Sequence, residues 1–315
     1  MSKSAYADER QSTLWRKFPS THYLSSPKNA DHVYLWCTFF RRNLHRFATD
    51  YLGIRLHLYQ AIILYFLGIT RFFVMIATRS SSKSFIISVY ACCICILYPN
   101  AQFVVASSTR GQAKLIVTEK IKNELMSMSP MLRREIENIK DNQNEVIIKF
   151  RNGSRMRVVP AIETARGGRS THLCREEFRM IKKFVDDSII SPFQIVRPAL
   201  YMVDDFYKNL PELREEPTDI YISSIWFDNH EYMWDIAKQA FDGMLKGEPM
   251  CLFAFDESIV LKHGIKTKKQ LKREREKQDP LTWRLEYLNE RVKENAHAYF
   301  GYDLLAKNQR LKRAF

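Results

Sequence analysis

Apolar positions along the chain change their spacing several times, and each change marks an element. Over "LGIRLHLYQAIILYFLG" they recur at helical intervals through Leu56, Leu58, Ile62, Leu64 and Leu67, which predicts one or two helices ending near Gly68. "RFFVMIA" follows as an unbroken run of aromatic and branched residues, the pattern of a central strand. "SFIISVYACCICILY" then reads as a helix, residues 103–107 as a buried strand and 112–128 as another helix. In "EVIIKFRNGSRMRVVP" two alternating runs flank Asn152-Gly153, a strong hairpin signal. A weaker strand in "THLCREEF" leads to a helix over 180–188. A connecting segment at 192–213 precedes strand "DIYISSIW", a helix over 230–246 and strand "MCLFAF". This alternation predicts an α/β fold: a mainly parallel central sheet with a β-hairpin insertion, behind an N-terminal helical lead-in.

The flanks differ in character. Residues 1–35 are polar and serine-rich and read as a flexible arm, 36–260 as the core, and 261–315 as a basic and helical tail. Its "KHGIKTKKQLKREREKQDP" is either a mobile loop or an exposed helix, and "LTWRLEYLNERVKENAHAYFGYDLL" reads as helical. Residues 85–109 carry no charge, long enough for a membrane span. Pro99-Asn100 breaks that run and "AQFVVASS" reads as a strand, so a buried helix followed by a buried strand is expected, and no membrane.

Composition narrows the picture only in part. A chain of 315 residues, 46% hydrophobic, is long enough for one large α/β domain or two smaller ones. The net charge of +14 points to a polyanionic partner, with simple solubility as the plain alternative. Cys92 and Cys95 have metal-like spacing, but no second pair completes a site. With Cys37, Cys93, Cys174 and Cys251 they read as reduced thiols of an intracellular protein.

The candidate chemistry lies in "ATRSSSKS", which falls at the junction of the first predicted strand and the next helix. A phosphate-binding loop needs a strand, converging backbone amides, a helix N-terminus, a lysine and a metal-binding hydroxyl. Lys83 and Ser84 meet the last two requirements, whereas Ala77 and Ser82 stand where glycines are usual. The plain alternative is a chance lysine-serine pair. Glu176 and Glu177, after a short strand, supply the acidic pair that such a site needs; alone they read equally well as a helix-opening pair.

Taken in order, "LHLYQ", "ATRSSSKSF", "ARGGRSTHLCREEFRMI", "YISSIW" and "DPLTWRLEYLNE" resemble the ATPase half of a tailed-bacteriophage terminase large subunit, from about residue 36 to the end. The resemblance implies an ASCE-type, RecA-like P-loop core that hydrolyses ATP with Mg²⁺ to translocate double-stranded DNA into a procapsid. It implies a ring, a pentamer on the portal protein, a small terminase subunit as partner, and the host cytoplasm as the setting. Carried over, Gln60 would recognise adenine, and Thr78, Arg79, Ser80, Ser81, Ser82, Lys83 and Ser84 would surround the nucleotide. Lys83 would grip the phosphates, Arg79 would lie near the terminal one, and Ser84 and Glu176 would hold Mg²⁺. Glu177 would be the catalytic carboxylate, Ser223 and Ser224 the coupling pair, and Arg166 or Arg169 the arginine reaching a neighbouring subunit.

Departures from the family pattern carry expectations of their own. Glu replaces the usual Asp at 176, and Arg175 interrupts an apolar strand, which predicts a partly exposed strand end. Asp186-Asp187 and Asp204-Asp205 read as helix-surface charge, so no nuclease activity is expected of this chain: it is either an excised ATPase domain or a split gene product. Two other readings stay open, a helicase-like nucleic-acid-dependent ATPase and a non-hydrolysing P-loop scaffold.

Overall fold

The computed structural model describes residue 36 and residues 38–141, 146–165, 167–195, 215–227 and 230–292. Its first elements are α1 (Leu44–Arg46), continued by a π-helical turn (Phe47–Tyr51), and α2 (Leu58–Ile69). The nucleus is β1 (Phe72–Ala77), α3 (Lys83–Leu97) and β2 (Gln102–Ser107). Next comes α4 (Arg110–Leu115), which widens into a π-helix (Ile116–Leu125) and closes as α-helix (Met126–Met128). After α5 (Pro130–Glu135) lie β3 (Ile136–Asp141), β4 (Val146–Phe150), β5 (Arg155–Pro160) and β6 (His172–Glu176).

A 3₁₀ turn (Phe178–Met180) precedes the short α6 (Lys183–Val185), which runs into a π-helical turn (Asp186–Ile190). The remainder is β7 (Thr218–Ser223), α7 (Glu231–Leu245), β8 (Met250–Phe255), α8 (Ser258–Lys262), α9 (Lys268–Lys277) and α10 (Pro280–Glu286).

The eight strands form one sheet in the order β3-β4-β5-β2-β6-β7-β1-β8. The six strands from β5 to β8 in that order are parallel, and β4 alone is reversed, running antiparallel to both β5 and β3. Alternation along β1 shows why both faces are covered. Phe73, Met75 and Ala77 point into a cluster with α2 and α3, while Val74 and Ile76 point into a second cluster with α7 and Ile189. Period-two side chains on a strand with apolar residues throughout dictate a helix layer on each face.

The hairpin forms at Asn152-Gly153, with Gly153 at φ +85°. A side chain there would collide with Asn100, 2.5 Å from the position of a Cβ. Asn152 has a second use: its Nδ2 donates to the carbonyls of Cys95 and Ile96 at 2.8 and 2.9 Å, capping the C-terminal end of α3. β3 is absent from the sequence expectation, because its outward residues Glu137 and Lys140 are polar and only Ile136 and Ile139 lean inward. No helix among the described residues is long and apolar enough to cross a membrane; the uncharged run divides between α3 and β2.

Four expectations need correction. Arg175 does not sit at an exposed strand end; it is 1% exposed, with Nε donating to Asp186 at 2.7 Å, Nη1 to Asp219 and Nη2 to Ser191 at 2.8 Å. Its guanidinium also lies 4.4 Å over the Tyr221 ring. Asp186 is therefore no surface charge; it is buried and also accepts from the Tyr232 hydroxyl, whereas Asp187 is exposed. The helix expected over 180–188 begins at Lys183, because Glu177 turns into the left-handed region at φ +48° and allows only a 3₁₀ turn after it. Among the described residues the helix expected from residue 281 ends at Glu286 and the chain turns through Asn289 at φ +53°, while 293–315 lie outside the described residues. The basic run at 262–280 forms an exposed helix, α9, started by a Thr267–Gln270 capping box. Asp204 and Asp205 lie outside the described residues.

Candidate active site

β1 delivers the chain to the serine loop, and α3 starts at Lys83. Of the two positions where glycine is usual, Ala77 simply ends β1, while Ser82 adopts φ +62° and ψ 25°. Ser80 is left-handed as well, at φ +63°. Each such residue costs about 1–2 kcal/mol against a right-handed conformation, a strain glycine would escape. The strain is held by a web of contacts. Thr78 and Arg79 donate their amides to Phe255 O (3.1 Å) and Glu286 O (2.8 Å), Ser81 Oγ donates to Thr78 O (2.7 Å), and Tyr59 Oη donates to Ser81 O (3.2 Å). The first-turn amides of α3 have no acceptor within the helix, which is the physical basis of anion binding at a helix N-terminus.

This loop forms one wall of a cleft of 960 Å³, a size that suits a small polar ligand. Gln60, His57, Ile265, Lys120, Glu124 and Glu177 line it as well. Lys83 folds back over the loop, its Nζ donating to Ala77 O (2.8 Å) and Thr78 O (2.9 Å). Burial holds its pKa below the usual lysine value, with the nearby Glu177 and Glu286 carboxylates opposing that fall. Gln60 is buried, and its Oε1 accepts the His57 amide at 2.9 Å, so it caps α2 and lines the cleft at once.

The two carboxylates arrive from β6. Ser84 Oγ donates to Glu176 Oε1 at 2.9 Å, joining the start of α3 to the end of β6, while Glu176 Oε2 is buried without a hydrogen-bond partner. Burial pushes the Glu176 carboxyl up to about 7. Glu177 Oε2 accepts from Ser223 Oγ at 3.1 Å and lies 3.1 Å from Arg179 Nε.

A second ring of contacts comes from α10. Glu286 Oε2 accepts from Arg79 Nε (3.0 Å) and Ser224 Oγ (3.0 Å), its Oε1 from Arg179 Nη2 (2.7 Å), and its carbonyl from Thr78 Oγ1 (3.1 Å). Burial disfavours its charge, but the two guanidinium groups outweigh that and keep its pKa low. Three residues on, Asn289 Nδ2 donates to Ile76 O (2.9 Å) and its Oδ1 accepts the Ile225 amide (3.1 Å).

Most of the residues singled out in the sequence thus meet at one place: Gln60, the loop 78–84, Glu176, Glu177, Ser223 and Ser224. Arg169 does not line the cleft; it is exposed, and its carbonyl accepts from Arg157 Nη2. Arg166 lies outside the described residues. Sequence reasoning assigned no role to Arg179, Lys120, Glu286 or Asn289. The signal for the last two was present in "WRLEYLNE", where Glu286 and an Asn three residues later stand beside Trp283 and Tyr287.

The raised pKa values set the sign of a stability change. Glu176 and Glu135, the latter buried and accepting from the Tyr51 hydroxyl, are both pushed up to about 7 by burial. Between the ordinary carboxylate range and pH 7 the folded chain keeps protons that the unfolded chain has released, so stability is expected to fall as pH rises through that window. Each group contributes up to roughly 1.4 kcal/mol per pH unit. Urea unfolding from pH 5 to 7.5 checks this: Glu135→Gln should flatten about half of the decline, and a stability that rises over the window contradicts it.

Comparison with known proteins places the fold. No family model matches the chain, and no curated protein does. Among solved structures, the ATPase domain of the large terminase of Thermus phage P74-26 superposes with a TM-score of 0.52 at 19% identity, over 76% of this chain and 96% of that one. The HK97 bacteriophage large terminase superposes at 0.54 with 16% identity, over 76% of this chain and 51% of that one. The large terminase of a thermophilic bacteriophage, in complex with ATP-γ-S, superposes at 0.51 with 12% identity, over 75% and 53%. The chain therefore has the fold of the phage large-terminase ATPase domains, a RecA-like core, and spans about half the length of the latter two proteins.

Proposed function

We propose that this chain is the ATP-hydrolysing motor domain of a tailed-phage large terminase, converting ATP and water to ADP and phosphate to drive duplex DNA into a procapsid. The observation that carries the reading is the Ser84–Glu176 hydrogen bond, which brings a loop hydroxyl and a strand-end carboxylate together beside Lys83 and Glu177. Complexes of the structurally similar thermophilic-phage terminase with ATP-γ-S and with ADP support nucleotide as the ligand.

In this reading the α3 amides and Lys83 bind the phosphates, Gln60 contacts the base, and Glu177 takes the proton of the attacking water. Ser223 and Ser224 relay the outcome to Glu177 and Glu286. The residues fit Mg²⁺: Ser84 and Glu176 would hold it, since Glu176 Oε2 is a buried oxygen with no hydrogen bond, though the carboxylate must first ionise. When bound, the metal supplies charge neutralisation on the phosphates. Arg79, now tied to Glu286, would turn to the terminal phosphate. Duplex DNA matches the net charge of +14, and the portal, the small subunit, a pentameric ring with Arg166 or Arg169 acting in trans, and the host cytoplasm complete the proposed setting.

One observation favours the non-hydrolysing alternative: Lys83 is engaged by its own loop carbonyls. Titration with ATP and Mg²⁺ separates the two. Wild type should bind, and Lys83→Ala should weaken binding about 100-fold by losing a desolvated cation-phosphate contact. Absence of binding by the wild type would leave the scaffold reading standing.

A further inference from the structure

Beside the 960 Å³ cleft lies a smaller cavity of 400 Å³ that reaches Glu176. The two spaces share three lining residues, Ser84, Glu177 and Lys120. The place where they adjoin is thus bracketed by the loop hydroxyl, the candidate base and one ammonium group. Lys120 comes from the π-helical stretch of Ile116–Leu125, and widened helical turns of this kind recur at functional sites.

Among the described residues Arg55, Arg79, Lys83 and Lys120 line the cleft, and of these Lys120 alone also lines the smaller cavity. Lys83 donates to two loop carbonyls, while Arg79 and Arg179 are bound by the buried Glu286. Lys120 has only Glu124, at 2.8 Å, four residues on along the same helix, with both side chains about one-third exposed. An exposed pair at that spacing is the weakest kind of ion pair. Of the paired cations around the cleft, Lys120 is therefore the one that can leave its partner for an anionic ligand at least cost, and it alone stands where the two spaces adjoin.

We propose that Lys120 is a catalytic residue of this site, contacting the terminal phosphate from the place where the two spaces adjoin. The inference rests on the ATPase reading. In the step it serves, water oxygen bonds to the terminal phosphorus and the bond from phosphorus to the bridging oxygen breaks. ADP leaves with that electron pair, and the water proton passes to Glu177. Lys120 neither gives nor takes a proton; its N–H groups donate to the outer oxygens, where negative charge accumulates as the phosphoryl group transfers. Lys120 would act within its own chain, in addition to the arginine proposed to reach across from a neighbouring subunit.

The test uses the full chain with ADP, with ADP plus aluminium fluoride as a mimic of the transferring phosphoryl group, and with ATP turnover, all in Mg²⁺. Lys120→Ala should bind ADP within about threefold of wild type, bind the mimic about 30-fold more weakly, and release phosphate about 100-fold more slowly. Lys120→Arg should recover most of both losses. Glu124→Gln, which keeps the lysine and removes its tether, should bind the mimic as tightly as wild type or more so. Equal loss of ADP and mimic affinity in Lys120→Ala, or no loss of either, overturns the proposal. If wild type itself neither binds nor hydrolyses ATP, the ATPase reading has failed and this inference falls with it.

Discussion

Glu177→Gln is expected to lower ATP turnover about 10³-fold while leaving ATP affinity within about threefold of wild type. The substitution keeps the shape of the side chain and its ability to accept from Ser223 Oγ, but removes the group that can take a proton. The left-handed backbone of Glu177, at φ +48°, and its pairing with Arg179 fix where that carboxylate points, and a position over-determined in this way is the kind that carries chemistry. Loss of the Arg179 pair should cost little stability by comparison, because Arg179 keeps Glu286 and the Ile225 carbonyl. Phosphate release and nucleotide titration on the same preparation decide the matter. Turnover near that of wild type would show that another group activates the water.

Arg175→Met should destabilise the chain by about 3–5 kcal/mol, the range for breaking a buried ion pair from one side. Arg175 has the largest fully buried side chain among the described residues, and its removal leaves Asp186, itself 1% exposed, without its cation. The signature is a reversal. Removing the carboxylates as well, in Arg175→Met with Asp186→Leu and Asp219→Leu, should restore much of the loss, since a buried ionic cluster and a packed apolar one are often of similar stability. Urea unfolding measures both variants; a single substitution that costs under about 1 kcal/mol would mean that Asp186 is not left as an uncompensated buried charge.

The parts of this protein that were legible in its sequence are those encoded locally. Asn152-Gly153 turns a hairpin because two adjacent residues prefer it, and the strand, loop and helix around Lys83 lie within some 25 residues. What was illegible is encoded by distant partners. Arg175 and Asp186 read as surface charges until the fold sets them 2.7 Å apart. Glu286 meets Arg79 across 207 positions and Asn289 meets Ile76 across 213, and no spacing rule reaches so far. β3 was missed for a different reason: its polar outer face dilutes the alternation that marks a strand.

The burial of Arg175 also bears on the order in which the polypeptide can be assembled. β6 lies between β2 and β7, and one carboxylate that neutralises its arginine, Asp219, stands on β7, 44 residues later. At ribosomal rates of about 5–20 residues per second, those residues take roughly 2–9 s to appear. Through that interval a half-made chain has every reason to leave β6 in water, where its guanidinium is hydrated. Glu176 and Glu177 follow Arg175 directly, so the same delay withholds both carboxylates from the serine loop. The contact of Glu176 with Ser84 is in this way expected to form only after β7 has closed the sheet.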